Sequence, residues 1–419
     1  MVEQRNIVIL GASFGGIAIT HYFLKHILPA LKVKKDAQYH VYVLDRSSNW
    51  YFRIASPRAA ASLTLMPKEK LFYPIETIFK SYSSSDLTFI QSTITGVDTA
   101  ARKVSYKRSD NLVVENLFYH ALIVVTGSNT SDPVHSMQSD AATTLAAISQ
   151  MNKAVSTAKS VIVAGGGPTG VETIGEIAEA INGKPGWFST PVPKARITLI
   201  TSASQLLPEL RPAIGKQAEQ ALKKLGVDVL YNTRVAGVRT QDNGHTTVSL
   251  AKGDTLEADL YIPAYGVTPN TSFLPQTLLD ERNFLVTNSK TLRVDAAGPR
   301  VYAAGDVASF SNNTSIQLTA SLPTLYVNLR RDLLSYDAVD PGAKPKGKDR
   351  EFTISTKEFM TAPIGTGGGV GAIMGWKVPS WFVWITKGRQ YLTDFVVPGH
   401  LNGKLAANEI KMSKAEAAY

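Results

Sequence analysis

The chain has 419 residues, a length typical of about three domains, with a net charge of +10 from 44 Lys plus Arg against 34 Asp plus Glu, and no cysteine. The missing thiols exclude a disulfide scaffold, a thiolate zinc site, a cysteine-held iron–sulfur cluster and Cys-x-x-Cys redox chemistry, so any electron transfer needs a bound cofactor. A hydrophobic fraction of 44% marks a globular chain, and its basic balance suits acidic ligands such as a dinucleotide, an anionic membrane surface or nucleic acid.

Residues 6–10 read as a strand that passes straight into Gly11-Ala12-Ser13-Phe14-Gly15-Gly16. A helical pattern follows over 17–28, then a Lys-rich connection and a second strand over 40–45. Gly11, Ser13 and Gly16 keep the frame of a phosphate-binding turn, with Ser in the middle position. The first glycine permits the tight turn, the middle position lets backbone amides approach a pyrophosphate, and the last lets helix and strand pack closely. Asp45 ends the next strand, where a ribose-binding acid belongs. Residues 121–128 read as a buried strand ending in Thr126-Gly127.

The pattern then recurs. Residues 160–164 form a strand, Gly165, Gly167 and Gly170 a second glycine turn, 171–181 a helix carrying Glu172, and 196–200 the next strand. That strand ends in Thr201-Ser202 with no acid to hold a ribose 2′-hydroxyl or repel a 2′-phosphate, so NADPH is not excluded. Arg211, the nearest arginine after it, reads as a surface cation. Residues 182–195, with Trp187, are Pro- and Gly-rich and predict a surface loop. Residues 258–266 repeat the shape of 121–128, and 300–306 form a strand ending in Gly305-Asp306, a carboxylate able to accept hydrogen bonds from a polyol chain. A helix over 318–334 follows, then a basic, breaker-rich linker over 341–350. Strands are expected from Phe352 onward, with a Gly-rich turn at 365–371 and an aromatic stretch after it. The expected fold is α/β, with two Rossmann-like dinucleotide-binding domains and a smaller C-terminal α+β region.

These motifs, in this order, resemble the two-dinucleotide flavoprotein reductases. The cysteine-free chain and residues 50–59 further resemble the apoptosis-inducing-factor family, in the branch that contains ferroptosis suppressor protein; residues 206–209, 225–229 and 382–393 are similar too. The resemblance covers nearly the whole chain. It implies FAD bound by a discontinuous domain of 1–128 and 267–340, NADH or NADPH bound by 129–266, a C-terminal region over 341–419, and reduction of a quinone. Carried over by motif, Gly11, Ala12, Ser13, Phe14, Gly15 and Gly16 meet the FAD pyrophosphate. Asp45, Thr126 and Gly127 are further FAD-binding candidates, and Arg58 contacts the flavin nucleotide. Ile94 meets the adenine through its backbone, and Asp306 holds the ribityl and phosphate region. Gly165, Gly167 and Gly170 serve NAD(P)H with Glu172, which is also the candidate catalytic acid near nicotinamide and flavin. Two departures from the family are Val2, which removes a myristoylation signal, and Pro323 in the last helix of the FAD domain.

The expected reaction is ping-pong, with hydride passing from NAD(P)H to the flavin and electrons then passing to a quinone. No metal-ligating or Ser-His-Asp constellation is present. Two competing readings are a redox-linked, nucleic-acid-binding or cell-death effector and a reductase of a protein electron carrier. Basic residues cluster only at 344–350, which argues against nucleic acid. No stretch of about 20 apolar residues occurs, so a cytoplasmic protein is expected. Trp376, Trp381, Phe382 and Trp384, interleaved with Lys377, Lys387 and Arg389, suggest peripheral membrane contact; the alternative is that these rings pack into the core.

Overall fold

The computed structural model describes residues 3–111, 113–186, 189–241 and 244–417. Its larger sheet has seven strands, in the order Val301–Ala303, Ala121–Val124, Glu3–Leu10, Ala37–Asp45, Leu87–Asp98, Lys103–Arg108 and Val114–Phe118. The strands from Val301–Ala303 to Leu87–Asp98 run parallel, and the other two add antiparallel. The second half of strand Glu3–Leu10, from Ile7 to Leu10, is an unbroken apolar run because both its faces are covered. Ile7 and Ile9 enter the core on one side, and Val8 and Leu10 that on the other.

A second sheet, Val227–Leu230, Arg196–Ile200, Ser160–Ala164 and Leu260–Pro263, is wholly parallel. Val161 and Val163 face one core, while Ile162 and Ala164 face another, covered by the antiparallel strands Val235–Thr240, Thr246–Leu250 and Thr255–Ala258. The two sheets are joined by a short antiparallel pair, Ser128–Asn129 with Thr268–Pro269. The expected α/β fold of two Rossmann-like units is the observed one.

Three local expectations change. The first helix runs Phe14–Tyr22, passes through a π-turn at Phe23–Ile27 and resumes as Leu28–Lys34. Pro29 has no N–H for the helical ladder, and the wide turn lies just before it. The 341–350 segment is no free linker, because Asn328 bonds the backbone of Arg350 at both its N–H and its carbonyl and Arg350 pairs with Glu416 at 2.7 Å. Regular strands resume at Met360 rather than Phe352. Trp187 of the expected 182–195 loop lies outside the described residues.

The C-terminal region pairs Met360–Pro363, Gly369–Ile373 and Trp376–Lys377 in a small sheet, followed by the helices Ser380–Val383 and Thr393–Leu401. Ala362, Ile364, Val370 and Ala372 join the core of the second sheet, whereas Tyr391, Val397 and Ala406 join the core of the first. The region therefore spans both units.

Candidate functional site

Both glycine turns stand at the carboxyl ends of parallel strands, at the point where strand order reverses. That is where open α/β sheets bind ligands. Gly11 has φ 105°, and a Cβ there would sit 2.5 Å from the Val125 carbonyl oxygen. A Cβ on Gly16 would sit 1.8 Å from the Gly11 carbonyl oxygen. The second turn copies the first: Gly165 has φ 133° and would meet the Ala264 carbonyl at 2.3 Å, and Gly170 would meet the Gly165 carbonyl at 1.9 Å. No side chain fits at these positions, so the turns are fixed by backbone approach.

A cleft opens above the first turn. Gly11, Ala12 and Ser13 line it, with Asp45, Ile94, Thr126 and Gly127 opposite. Ser13 starts the helix, yet its hydroxyl makes no capping bond. The Asp45 carboxylate accepts from the Ala12 N–H at 2.7 Å and the Ser47 N–H at 2.9 Å, and burial raises its pKa despite both bonds. Thr126 and Asn270 exchange side-chain-to-backbone bonds at 2.8 Å each, closing the floor. Asp306 stands beside the cleft, accepting from Ser128 Oγ at 3.1 Å and lying 3.7 Å from Arg53.

Phe14, Gly15 and Gly16 are not part of the cleft wall. Phe14 packs its ring against Trp50, Phe52 and His400, Gly15 faces Leu318, and Gly16 serves the close crossing. The structure corrects the expectation for Arg58. This side chain is buried away from the cleft, in a bidentate pair with Glu176 at 2.8 and 3.0 Å. Burial opposes its charge, but Glu176 outweighs that and holds the pKa above its ordinary value. The reason is local: the short helix Ser56–Ala61 carries Arg58 toward the helix Pro168–Asn182, whereas the turn Arg53–Ala55 before it leaves Arg53 in the cleft. Sequence reasoning missed Arg46, Arg53 and Trp50, all of which line the cleft. Adjacency of Arg46 to Asp45 was the available signal for one of them. The Trp50 indole N–H is buried without a hydrogen-bond partner among the described residues. An orphaned donor, two arginines and the uncommitted Ser13 hydroxyl fit a long, polar, anionic ligand of the FAD kind.

A buried network crosses from the second turn to the C-terminal region. Glu172, in the first turns of the Pro168–Asn182 helix, pairs with Lys387, which also reaches the Thr361 carbonyl at 3.3 Å. Lys387 lies 5.8 Å from the centre of the Tyr391 ring, the Tyr391 hydroxyl donates to Glu176 at 3.1 Å, and Arg58 stacks on the same ring at 4.8 Å. Burial lifts the Glu172 pKa to about 6, with Lys387 pulling the other way. Lys387 therefore points inward and is not among the surface cations of the aromatic stretch. Trp376 is 79% exposed, Trp381 62% and Trp384 38%, so these rings are not core. Among the described residues no helix is long and apolar enough to cross a membrane. Arg211 is an ion-paired surface residue, bound by Glu358 at 2.8 Å and by the Gly375 carbonyl.

The comparisons agree with this geometry. Oxidoreductase phnG of Penicillium herquei is 39% identical over 93% of this chain and 94% of its own length. Human ferroptosis suppressor protein 1 is 26% identical over 92% of each chain. Among solved structures, NDH2 from Plasmodium falciparum in complex with NADH superposes with a TM-score of 0.62 at 16% identity, covering 98% of this chain and 100% of that one. The sulfide:quinone oxidoreductase of Aquifex aeolicus gives 0.67 at 12% identity, over 96% and 93%. At those identities the likeness is one of fold. The family described as pyridine nucleotide-disulphide oxidoreductase matches residues 5–325. Two glycine turns on the parallel strands of two joined sheets, and a family match over most of the length, lead to one conclusion: the chain belongs to the pyridine nucleotide-disulphide oxidoreductase family, whose cofactors are FAD and NAD(P)H.

Proposed function

We propose that the protein oxidises NADH or NADPH through bound FAD and delivers the electrons to a quinone. In this reading 1–128 with 267–340 holds FAD, 129–266 holds the nicotinamide nucleotide, and 341–419 covers the acceptor side. The observation that carries it is the pair of glycine turns at the switch points of two sheets that a two-residue strand pair ties together. When bound, FAD supplies hydride acceptance and electron release. The chain supplies position. The first turn and the Ser13 hydroxyl take the pyrophosphate, Arg46 and Arg53 add charge, and Asp306 takes the ribityl side. The chain has no cysteine, so the electrons cannot leave through a protein disulfide as they do in the thiol branches of the family, and an external acceptor is required.

Reducing a quinone also consumes protons. In this reading Glu172, with its pKa near 6 and its Lys387 partner on the C-terminal segment, holds one where the nicotinamide unit meets the C-terminal region. Those tryptophans, with Lys377 and Arg389, support peripheral contact with an anionic membrane, where a lipid-soluble quinone resides. The nucleic-acid reading loses one cation of its basic cluster, because Arg350 is paired internally with Glu416.

Steady-state NAD(P)H oxidation with and without a short-chain quinone tests the proposal. A large stimulation by quinone is expected; stimulation only by an acidic electron-carrier protein would overturn it. The same assay tests nucleotide choice. With Thr201 and Ser202 where a discriminating acid would stand, NADPH is expected to be used with a kcat/KM within about 100-fold of NADH, equal to about 2.7 kcal/mol.

A further inference from the structure

We infer that Tyr265 is an aromatic wall for the nicotinamide half of the dinucleotide, braced by the hydroxyl of Tyr261. This rests on the NAD(P)H-oxidising reading and deepens it.

The order of the second sheet places its switch point between Ser160–Ala164 and Leu260–Pro263. The glycine turn leaves the first of these strands, and Tyr265 lies two residues beyond the second. The two are in contact: a Cβ on Gly165 would lie 3.3 Å from the Tyr265 nitrogen, just past the Ala264 carbonyl. In this architecture the adenosine ribose lies at the end of the strand after the turn helix, here Arg196–Ile200 with Thr201. Leu260–Pro263 is on the opposite side of Ser160–Ala164, so the other half of the dinucleotide passes over Tyr265. Three residues further on, Thr268 pairs with Asn129, which lines the flavin-side cleft. Residues 264–269 thus bridge the two turns, and Tyr265 is their one aromatic residue.

Tyr265 is 46% exposed, a large side chain left partly uncovered at a switch point. Its hydroxyl is 3.1 Å from that of Tyr261, on the strand Leu260–Pro263 that precedes it. Burial and this hydrogen bond hold the Tyr261 phenol well above its ordinary range, so Tyr261 stays protonated at working pH and keeps its place in the pair. A flat ring fixed in this way offers a face to another planar ring and helps exclude water from it.

The test is anaerobic bleaching of the holoenzyme flavin, titrated with NADH and competed with ADP-ribose, which keeps the adenosine and phosphates but lacks the nicotinamide. Tyr265→Ala is expected to raise the half-saturating NADH concentration about tenfold, the size of one aromatic pairing. Tyr265→Phe should keep most of the affinity, and inhibition by ADP-ribose should be unchanged in both. Tyr265→Leu keeps apolar bulk without the π-face, and should lose NADH affinity should the alanine variant not fold. An unchanged NADH titration in the Ala or Leu variant overturns the inference. So does an equal loss of ADP-ribose affinity, which would mean that Tyr265 only supports the turn. If the wild-type flavin is bleached by neither NADH nor NADPH, the NAD(P)H reading fails and the inference falls with it.

Discussion

Asp306 is held on one side by Ser128 and faces Arg53 on the other, so its carboxylate is oriented before any ligand arrives. A charged hydrogen bond accepted from a ribityl hydroxyl is worth about 1.5–3 kcal/mol. Asp306→Ala is therefore expected to purify with less flavin and to release it at lower denaturant, read from the visible absorbance per polypeptide. Flavin content equal to wild type would remove Asp306 from the site. Glu172 makes a pH prediction. Its folded pKa of about 6 lies above the ordinary 4.5, with burial as the main cause. The native state keeps this proton to higher pH than the unfolded chain does, so its contribution to stability falls as pH rises from about 4.5 to about 6 and stays low above that. Glu172→Gln cannot lose a proton. The stability of wild type relative to that variant should fall over this window, by about 2 kcal/mol at most. Urea unfolding at a series of pH values measures it, and a rising difference would show that the Lys387 pair outweighs burial.

At the scale of elements, the two glycine turns and the C-terminal segment behave differently. Each turn is fixed by backbone approach, within the turn at Gly16 and Gly170 and against Val125 and Ala264 at Gly11 and Gly165, and no rotamer change can relieve these clashes. In the segment from Trp376 to Gly388 the surroundings decide. A single stretch sends Lys387 inward to Glu172, buries Val383, and leaves Trp376, Trp381 and Trp384 outside. Because these rings are exposed, Trp381→Ser/Trp384→Ser is expected to fold, retain its flavin and lose binding to anionic liposomes in flotation. Failure of the wild type to float would remove the membrane contact from the proposal.

Across the whole molecule, the C-terminal region fastens the two sheets together through Arg58–Glu176–Tyr391 and Glu172–Lys387. Removing one member of a buried ion pair leaves the other charged and unsolvated, at a cost of about 3–5 kcal/mol. Arg58→Ala is expected to lower the first thermal transition and to release flavin at that transition, although Arg58 does not line the cleft. Arg58→Ala/Glu176→Leu, which removes both charges, should recover much of the loss. An unchanged transition in Arg58→Ala would mean that the pair contributes little to holding the units together.

The sequence by itself determined the α/β class, the two dinucleotide turns, the position of Asp45 at a strand end and the dependence on a cofactor. Each of these follows from local rules: glycine where a Cβ cannot fit, apolar runs where a strand is covered on both faces, and zero cysteines. The tertiary structure decided which charges meet. Arg53 and Arg58 are five residues apart in one motif, and only the turn between them sends the first to the cleft and the second to Glu176. Lys387 lies 215 residues from Glu172, and no periodicity links them. Long-range pairing of charges depends on how whole units pack, because the desolvation that makes such a pair consequential exists only after burial.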